Sequence, residues 1–311
     1  MIESHTSVFK WRDVITHIIL QWLRWYLRQI MFLTNLFGLA TSRIPKDDSS
    51  FTAFFATSSA TQQKLSLRYV EVENYRIRYL VAGEGEPVIL VHGLSGSTRW
   101  WIRNVPRLAQ YYRVYLVDLP GFGTMRRFRR RFALEKASSW LLAWMETIGV
   151  EQAHFLGHSM GGHICMRLAA SRPDVVSRLV LVSPAAIPHV RSVFGYFVPL
   201  LIALRTLKPA FFLILSFDAI RAGPFMLLRA TRELIAQDLR DEMKALNTPT
   251  LLVWGENDTL VPLSLGQILR DEIANSRLLI LKKAGHVSMF DQPDEFNEAV
   301  LAFLRGETVG K

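Results

Sequence analysis

The stretch FLGHSMGGH, residues 155–163, decides the fold, because it places a serine between a nonpolar run and a helical run. Gly157 and Gly161 stand two residues to either side of Ser159 in a GxSxG pattern. A sharp turn from strand to helix leaves no room for side chains at the flanking positions, so glycines there leave the central hydroxyl exposed. The strand pattern before it and the helix pattern after it predict that Ser159 is a nucleophile.

Short β-rich runs alternate with helical runs from about residue 65 onward. Residues 67–72 and 75–82 alternate polar and nonpolar side chains, which predicts an antiparallel pair. The runs VILVH, RVYLVD, HFLG, LVLVS and TLLVWG are almost wholly nonpolar, as is typical of parallel strands covered on both faces. The alternation predicts an α/β protein with a mostly parallel, doubly wound sheet. No strand pattern occurs in residues 184–245, where we expect a helical cap between two parts of the core, residues 65–183 and 246–306.

Two partners for Ser159 follow later in the chain, each just after a predicted strand. Asp258 lies in WGENDTLVP and His286 lies in KKAGHVSMFDQP, so the order is Ser, Asp, His. The carboxyl ends of parallel strands meet at one edge of an open sheet, where α/β folds gather their sites. We expect His286 to take the serine proton and Asp258 to fix the imidazole tautomer. Other side chains of suitable chemistry are Glu256 and Asp291 as the acid and His158 as the base.

An acyl transfer also needs hydrogen-bond donors aimed at the developing oxyanion. The amide of Met160 lies at the start of the predicted helix, where amides are unpaired and the helix dipole is positive. The loop after VILVHG should supply the second donor, for which we predict the amide of Leu94. His92 and Gly93 then shape that loop, and we expect His92 to be a hydrogen-bonded structural residue.

Several segments together resemble the α/β-hydrolase superfamily: VHGLSGSTRWW, VDLPGFG, LGHSMGG, VSPAAIP, GENDTLVP and AGHVSMF. The likeness covers residues 68–305, and HSMGG followed by LVSPAAI is similar to the membrane-associated monoacylglycerol-lipase-like branch. The resemblance implies an α/β-hydrolase fold and serine ester hydrolysis without a metal or an organic cofactor. It disfavours the epoxide-hydrolase and haloalkane-dehalogenase branches, whose nucleophile is an aspartate. The basic segment TMRRFRRRFAL and the N-terminal region depart from the common pattern.

Composition excludes several classes of protein. The chain has 311 residues, half of them hydrophobic, which provides for a large buried core and argues against disorder. Cys165 is the one cysteine, so an intramolecular disulfide and a cysteine-based zinc site are excluded. We expect Cys165 on the buried face of a helix. The net charge of +10 favours an anionic partner, either nucleic acid or an acidic membrane surface.

Residues 1–58 differ in composition from the rest, with a nonpolar, aromatic and basic stretch over residues 11–40 and a polar linker after it. Plotted as a helix, the stretch has a narrow polar stripe and a wide nonpolar face. Spanning a bilayer would gain about 4 kcal/mol from its aliphatic residues but cost about 5 to 7 kcal/mol at Arg24 and Arg28. We therefore expect an amphipathic helix in the plane of the membrane interface. The alternative is a helix docked on its own domain or on a partner subunit.

A basic segment, called here the Arg cluster (residues 126–131), follows the strand that ends at Asp118. No helix-turn-helix, zinc or base-stacking motif accompanies it, so nucleic acid is not expected as a partner. An anionic membrane is the expected partner, since each basic residue near such a surface contributes about 1 kcal/mol. A solvated loop is the alternative. The cluster comprises Arg126, Arg127, Arg129, Arg130 and Arg131.

The cap contains phenylalanines that we expect either to face lipid or to form the core of the cap itself: Phe194, Phe197, Phe211, Phe212, Phe217 and Phe225. With the N-terminal helix, they predict a peripheral or monotopic membrane protein on the cytoplasmic face. A soluble cytoplasmic protein is the alternative.

The function predicted from these features is hydrolysis of carboxylic esters, lipid-like or of monoacylglycerol type, through an acyl-enzyme on Ser159. One alternative is a C–C bond hydrolase of the ring-cleavage type, which uses a similar triad. A further alternative is a ligand-binding relative that has lost turnover.

Overall fold

A computed structural model describes residues 65–310, apart from the side chains of residues 129–131. The predicted N-terminal region, residues 1–58 with its amphipathic stretch 11–40, lies outside the described residues.

The described residues form one sheet of eight strands. Its strands are β1 (Ser66–Val72), β2 (Tyr75–Ala82), β3 (Pro87–Val91), β4 (Arg113–Val117), β5 (Ala153–His158), β6 (Val176–Val182), β7 (Thr250–Gly255) and β8 (Ser276–Leu281). They are arranged in the order β1-β2-β4-β3-β5-β6-β7-β8. The pairs β1–β2 and β2–β4 are antiparallel, and all other neighbours are parallel. The predicted mostly parallel sheet with an antiparallel pair at its start is confirmed.

The strands at the centre of the sheet carry the core. Every residue of β5 and of β7 is buried, because both have neighbours on either side and helices over both faces. The edge strand β1 is mostly exposed, which agrees with its alternating sequence. Large side chains such as Trp101, Trp144 and Trp254 are fully buried. Burial of one large nonpolar side chain stabilises the fold by about 1.5 to 3 kcal/mol.

Helices cover the sheet and fill the long interval before β7. Within residues 65–310 they are α1 (Val105–Leu108), α2 (Leu134–Thr147), α3 (Met160–Ser171), α4 (Phe197–Thr206), α5 (Pro209–Ala222), α6 (Pro224–Ala236), α7 (Arg240–Ala245), α8 (Leu263–Glu272), α9 (Ser288–Asp291) and α10 (Pro293–Leu304). Short 3₁₀ segments are Thr98–Trp101, Gly123–Arg131, Pro173–Val175 and Val193–Tyr196. As predicted, Cys165 lies on a helix, α3, and is fully buried, and burial raises the pKa of its thiol.

The helices α4 to α7 lie between β6 and β7, in the interval where the sequence has no strand pattern. Pro209 and Pro224 begin α5 and α6, a position that suits proline because its fixed φ matches the first helical turn. Gly223 separates these two helices with a φ of 82°, which permits a sharp turn. Among the described residues, only the pair α5 and α6, bent by 96°, has the combined length and hydropathy of a membrane span, and no single helix does.

The phenylalanines of the cap do not share one environment. Phe194 and Phe225 are each 88% exposed, whereas Phe211 and Phe212 are 1% and 7% exposed. The hypothesis that the whole set faces lipid is therefore wrong for Phe211 and Phe212, because α5 turns these side chains inward. The alternative, a shared cap core, is wrong for Phe194 and Phe225.

Candidate active site

Ser159 lies at the corner between β5 and α3. Its backbone has φ 50° and ψ −113°, a conformation that is strained for any residue with a side chain. Neighbouring backbone holds it there: the Ser159 amide donates to the Val182 carbonyl at 2.9 Å. The Ser159 carbonyl accepts from the amides of His163 and Ala185 at 3.0 and 3.1 Å. The sharp turn predicted from GxSxG is present.

The two flanking glycines of this corner are required by close backbone approach. A Cβ atom on Gly157 would lie 2.6 Å from the carbonyl oxygen of Gly161. A Cβ atom on Gly161 would lie 2.6 Å from the carbonyl oxygen of His92. Since real Cβ atoms do not approach backbone so closely, larger residues would push α3 away from β5 and β3.

Asp258 and His286 are in direct contact. The Nδ1 atom of His286 lies 2.9 Å from Oδ2 of Asp258, and Oδ1 of Asp258 accepts from the amides of Leu260 and Val261, each at 2.9 Å. Burial alone would raise the pKa of Asp258, but His286 and the amide donors outweigh it, so this pKa lies below its usual value. An ionised Asp258 accepts a hydrogen bond from Nδ1–H of His286, which keeps the proton on Nδ1 and leaves the lone pair of Nε2 available.

Ser159 and His286 line the same cavity, which has a volume of about 450 Å³. Leu94 and Ser95, from the loop after β3, line it as well. The fold therefore brings the predicted nucleophile, the predicted base and the predicted oxyanion loop to one cavity. His286, the predicted base, is in turn hydrogen-bonded to Asp258, the predicted acid.

The alternative acids and the alternative base have other partners. His158 is fully buried, and its Nε2 donates to the backbone carbonyl of His286 at 2.9 Å. Burial, with a contribution from His286, lowers the pKa of His158 to about 3, so its ring is neutral. Asp291 accepts from the Gly285 amide at 2.9 Å, and Glu256 accepts from the Lys283 amide at 3.2 Å. His158 and Asp291 thus hold the loop that presents His286.

The predicted oxyanion donors lie at the start of α3 and in the loop after β3. Met160 is the first residue of α3, so its amide has no acceptor within the helix. The Leu94 loop is shaped by His92, whose Nε2 accepts from the Leu119 amide at 3.0 Å and whose Nδ1 donates to the Gly93 carbonyl at 2.8 Å. Burial lowers the pKa of His92, which keeps this bridging ring neutral. His92 is therefore structural, as predicted.

Asp118 is an anchor that the sequence analysis did not identify. Its Oδ1 accepts from the Thr98 amide at 2.7 Å, and its Oδ2 accepts from the amide and hydroxyl of Thr124, both at 2.7 Å. It therefore joins the segment that follows the Leu94 loop to the start of the segment that carries the Arg cluster. In that segment Arg126 is half-buried and Arg127 is exposed. The sequence signal that could have identified this anchor is the VDLPGFG motif, which contains Asp118.

The cavity wall is mainly nonpolar and comes largely from the cap. Cap residues on the wall include Phe194, Phe197, Leu200, Leu204, Phe211, Leu215 and Leu234.

Within residues 65–310, no three His, Cys, Asp or Glu side chains are grouped as metal ligands.

Comparison with known proteins identifies the family. Residues 88–299 match the model of the alpha/beta hydrolase family. The chain belongs to that family. The fold and the general class of activity, hydrolysis, follow from this membership, whereas the bond that the hydrolase cleaves does not.

Relatives of this hydrolase act on different bonds. It is 31% identical to a pimeloyl-[acyl-carrier protein] methyl ester esterase of Aeromonas hydrophila, over 71% of this chain and 96% of that protein. It is 27% identical to a 2-hydroxy-6-oxo-6-phenylhexa-2,4-dienoate hydrolase of Comamonas testosteroni, over 80% of this chain and 98% of that protein. Among solved structures, it resembles a membrane phospholipase A, a bacterial virulence factor, with a TM-score of 0.72 and 25% identity. That match covers 90% of this chain and 98% of the other.

Proposed function

We propose that this hydrolase cleaves carboxylic esters of lipid-like molecules, of the monoacylglycerol type, through an acyl-enzyme on Ser159. The observation that carries the proposal is the His286–Asp258 hydrogen bond beside a nonpolar cavity that Ser159 also lines. The resemblance of its motifs to the monoacylglycerol-lipase-like branch and its likeness to a membrane phospholipase A support the lipid-like substrate class.

The chemical steps use residues on the cavity wall. Oγ of Ser159 attacks the ester carbonyl carbon while Nε2 of His286 takes the hydroxyl proton. The resulting oxyanion accepts hydrogen bonds from the amides of Leu94 and Met160. The oxyanion collapses, the bond to the leaving alkoxide breaks, and His286 gives that oxygen its proton. Water then repeats the sequence on the acyl-enzyme and releases the carboxylic acid.

The nonpolar wall supports long acyl chains. Leu200, Leu204, Leu215 and Leu234 offer no partner for a charged or strongly polar acyl group. A cavity of about 450 Å³ lies within the size range of small-molecule sites. Burial of each CH₂ group of a bound acyl chain contributes about 0.8 kcal/mol to the binding free energy.

A panel of p-nitrophenyl esters, from acetate to palmitate, together with a monoacylglycerol, tests the substrate class. We expect kcat/KM to rise up to about fourfold per added carbon until the cavity is filled, because burial of each CH₂ stabilises the transition state. A 2-hydroxy-6-oxo-dienoate belongs in the same panel, since one relative cleaves this class of C–C bond. Turnover of the dienoate without ester turnover would overturn the proposal.

The exposed face of the cap supports action at a membrane. Phe194 and Phe225 are each 88% exposed, and Phe194 also lines the cavity. Their segments, Val193–Tyr196 and α6, pack against each other. Exposed nonpolar surface of this kind marks a binding site for lipid or protein. Arg191 and Arg205 are exposed in the same part of the chain and suit anionic headgroups.

We place the hydrolase, as a peripheral or monotopic protein, on an anionic bilayer. The contacts with the bilayer that we propose are the cap face, the Arg cluster at residues 126–131 and the stretch at residues 11–40. Substrate would then enter the cavity from the lipid side, past Phe194.

Flotation of the full chain with phosphatidylcholine–phosphatidylglycerol vesicles tests the contribution of the cap. The double variant Phe194→Ser/Phe225→Ser is expected to partition at least tenfold less, because burial of each ring in the interface contributes about 1.5 to 3 kcal/mol. The matched control is Leu67→Ser/Tyr111→Ser, which removes two exposed nonpolar side chains outside the cap. Equal partitioning of the two double variants would contradict the role of the cap.

A further inference from the structure

A buried carboxylate on the cap plays no part in the proposed triad. Asp218 lies on α5 and is 1% exposed. Its Oδ2 accepts from Oγ of Ser97 at 2.7 Å and from the indole Nε1 of Trp100 at 3.2 Å. A guanidinium nitrogen of Arg99 lies 3.7 Å from its Oδ1. All three partners belong to residues 97–100, which follow the loop that carries Leu94.

That loop is anchored at several points. From the core, the Leu119 amide donates to His92, and Asp118 accepts from the Thr98 amide. The contacts to Asp218 are made by the cap, and they hold the stretch between Ser97 and Trp100. This stretch is therefore hydrogen-bonded both to the core and to the cap.

Aromatic packing strengthens the same connection. The ring of Trp100 meets the ring of Phe211, also on α5, edge to face with a centroid distance of 5.1 Å. Trp100 also lies 5.4 Å from the ring of His158, which is hydrogen-bonded to the backbone of His286. The guanidinium of Arg99 lies over the ring of Phe217 at 4.8 Å. Trp100 thus stands between the cap and the residues that present the base.

Stability alone does not favour an acid at this buried position. Burial raises the pKa of Asp218 to about 7, although Ser97 and Arg99 act in the opposite direction. A nonpolar residue of similar volume at a buried charged site is often neutral or stabilising. The carboxylate is therefore better explained by the geometry that it imposes on Ser97 and Trp100 than by stability.

We propose that Asp218 is a positioning residue that couples docking of the cap to the geometry of the oxyanion loop. This inference rests on the proposed function. When the cap is docked, Asp218 fixes Ser97 and Trp100, and the Leu94 amide, three residues before Ser97, stays directed at the oxyanion. When the cap lifts, the loop relaxes, so ester cleavage is confined to the docked state.

The test measures kcat and KM of the full chain on p-nitrophenyl acetate, whose acyl group is too short to fill the cavity. Asp218→Ala is expected to lower kcat at least tenfold with KM changed less than threefold, because an oxyanion donor acts on the transition state. Asp218→Asn keeps an oxygen acceptor and is expected to retain kcat within about threefold of the wild type. Asp241→Ala, at an exposed acid on α7, is the matched control and is expected to match the wild type.

Ser97→Ala keeps the inference testable if Asp218→Ala does not fold. It removes a donor to Asp218, and we expect kcat to fall at least threefold. The double variant Ser97→Ala/Asp218→Ala is expected to resemble Asp218→Ala alone, since Asp218→Ala already removes the contact through which Ser97 acts. Circular dichroism establishes which variants are folded.

The possible failures are distinguishable. If the wild type neither hydrolyses the ester nor reacts with a fluorophosphonate at Ser159, the proposed function fails. If the wild type is active while folded Asp218→Ala and Ser97→Ala keep kcat within twofold of it, the role of Asp218 is wrong and the function stands.

Discussion

Replacing Ser159 with alanine is expected to lower ester hydrolysis about 10⁶-fold, as for other serines of this kind. The same change should abolish covalent labelling by a fluorophosphonate probe, because the bond forms at Oγ. The cavity and the oxyanion donors remain, so a small residual rate above the uncatalysed reaction is expected. Because alanine and serine have similar backbone restrictions, the strained corner at φ 50° should persist.

The control for this variant is Ser264→Ala. Ser264 is exposed on α8 and is not part of the cavity wall. It should be labelled like the wild type, and both variants should give the circular dichroism spectrum of the native protein. Labelling of folded Ser159→Ala would show that the nucleophile lies elsewhere.

Asp258→Asn is expected to lower kcat about 10³- to 10⁴-fold. A carboxylate accepts a hydrogen bond from Nδ1–H of His286, whereas an amide NH₂ would donate to Nδ1 and place the imidazole proton on Nε2. That tautomer cannot take the proton of Ser159. Steady-state kinetics on p-nitrophenyl butyrate, with Glu256→Gln as the matched control, checks the assignment. The control should stay within about threefold of the wild type, because Glu256 is exposed and lies two residues away.

The competing acid provides the opposing outcome. Asp291 bonds the Gly285 amide, and Asp291→Asn should cost far less activity than Asp258→Asn. If Asp291→Asn abolished turnover and Asp258→Asn did not, the assignment of the acid would be reversed.

A thermal melt at several pH values adds a second readout for Asp258. The lowered pKa of Asp258 means that its ionisation stabilises the fold at neutral pH, and this contribution is lost as acidification protonates it.

The sheet and the corner at Ser159 were predictable because their signals are local. Nonpolar runs such as TLLVWG became buried strands, since a parallel strand covered on both faces has no polar side to expose. The GxSxG pattern around Ser159 spans five residues, and a Cβ on Gly157 would meet the backbone of Gly161 within it. Asp258 and His286 were found because each directly follows a strand at the carboxyl edge of the sheet.

Features that depend on distant partners were not predictable. Asp218 is a single acid in a nonpolar helix, and its partner Ser97 is 121 positions away in sequence. Phe211 lies in α5, which is nonpolar on most sides, and Phe225 stands at the start of α6, so periodicity could not separate buried Phe211 from exposed Phe225. The contact from His158 to the backbone of His286 spans 128 positions and likewise has no local signature.

The burial of Cys165 has a practical consequence for biophysical work. Its thiol is enclosed on α3 and its raised pKa disfavours the reactive thiolate, so maleimide dyes should leave the native chain unmodified. The wild-type cysteine therefore does not have to be replaced before a new cysteine is introduced for labelling. A fluorophore or spin label attached through Phe225→Cys would report on the cap alone, and could follow its opening in real time on a supported lipid film.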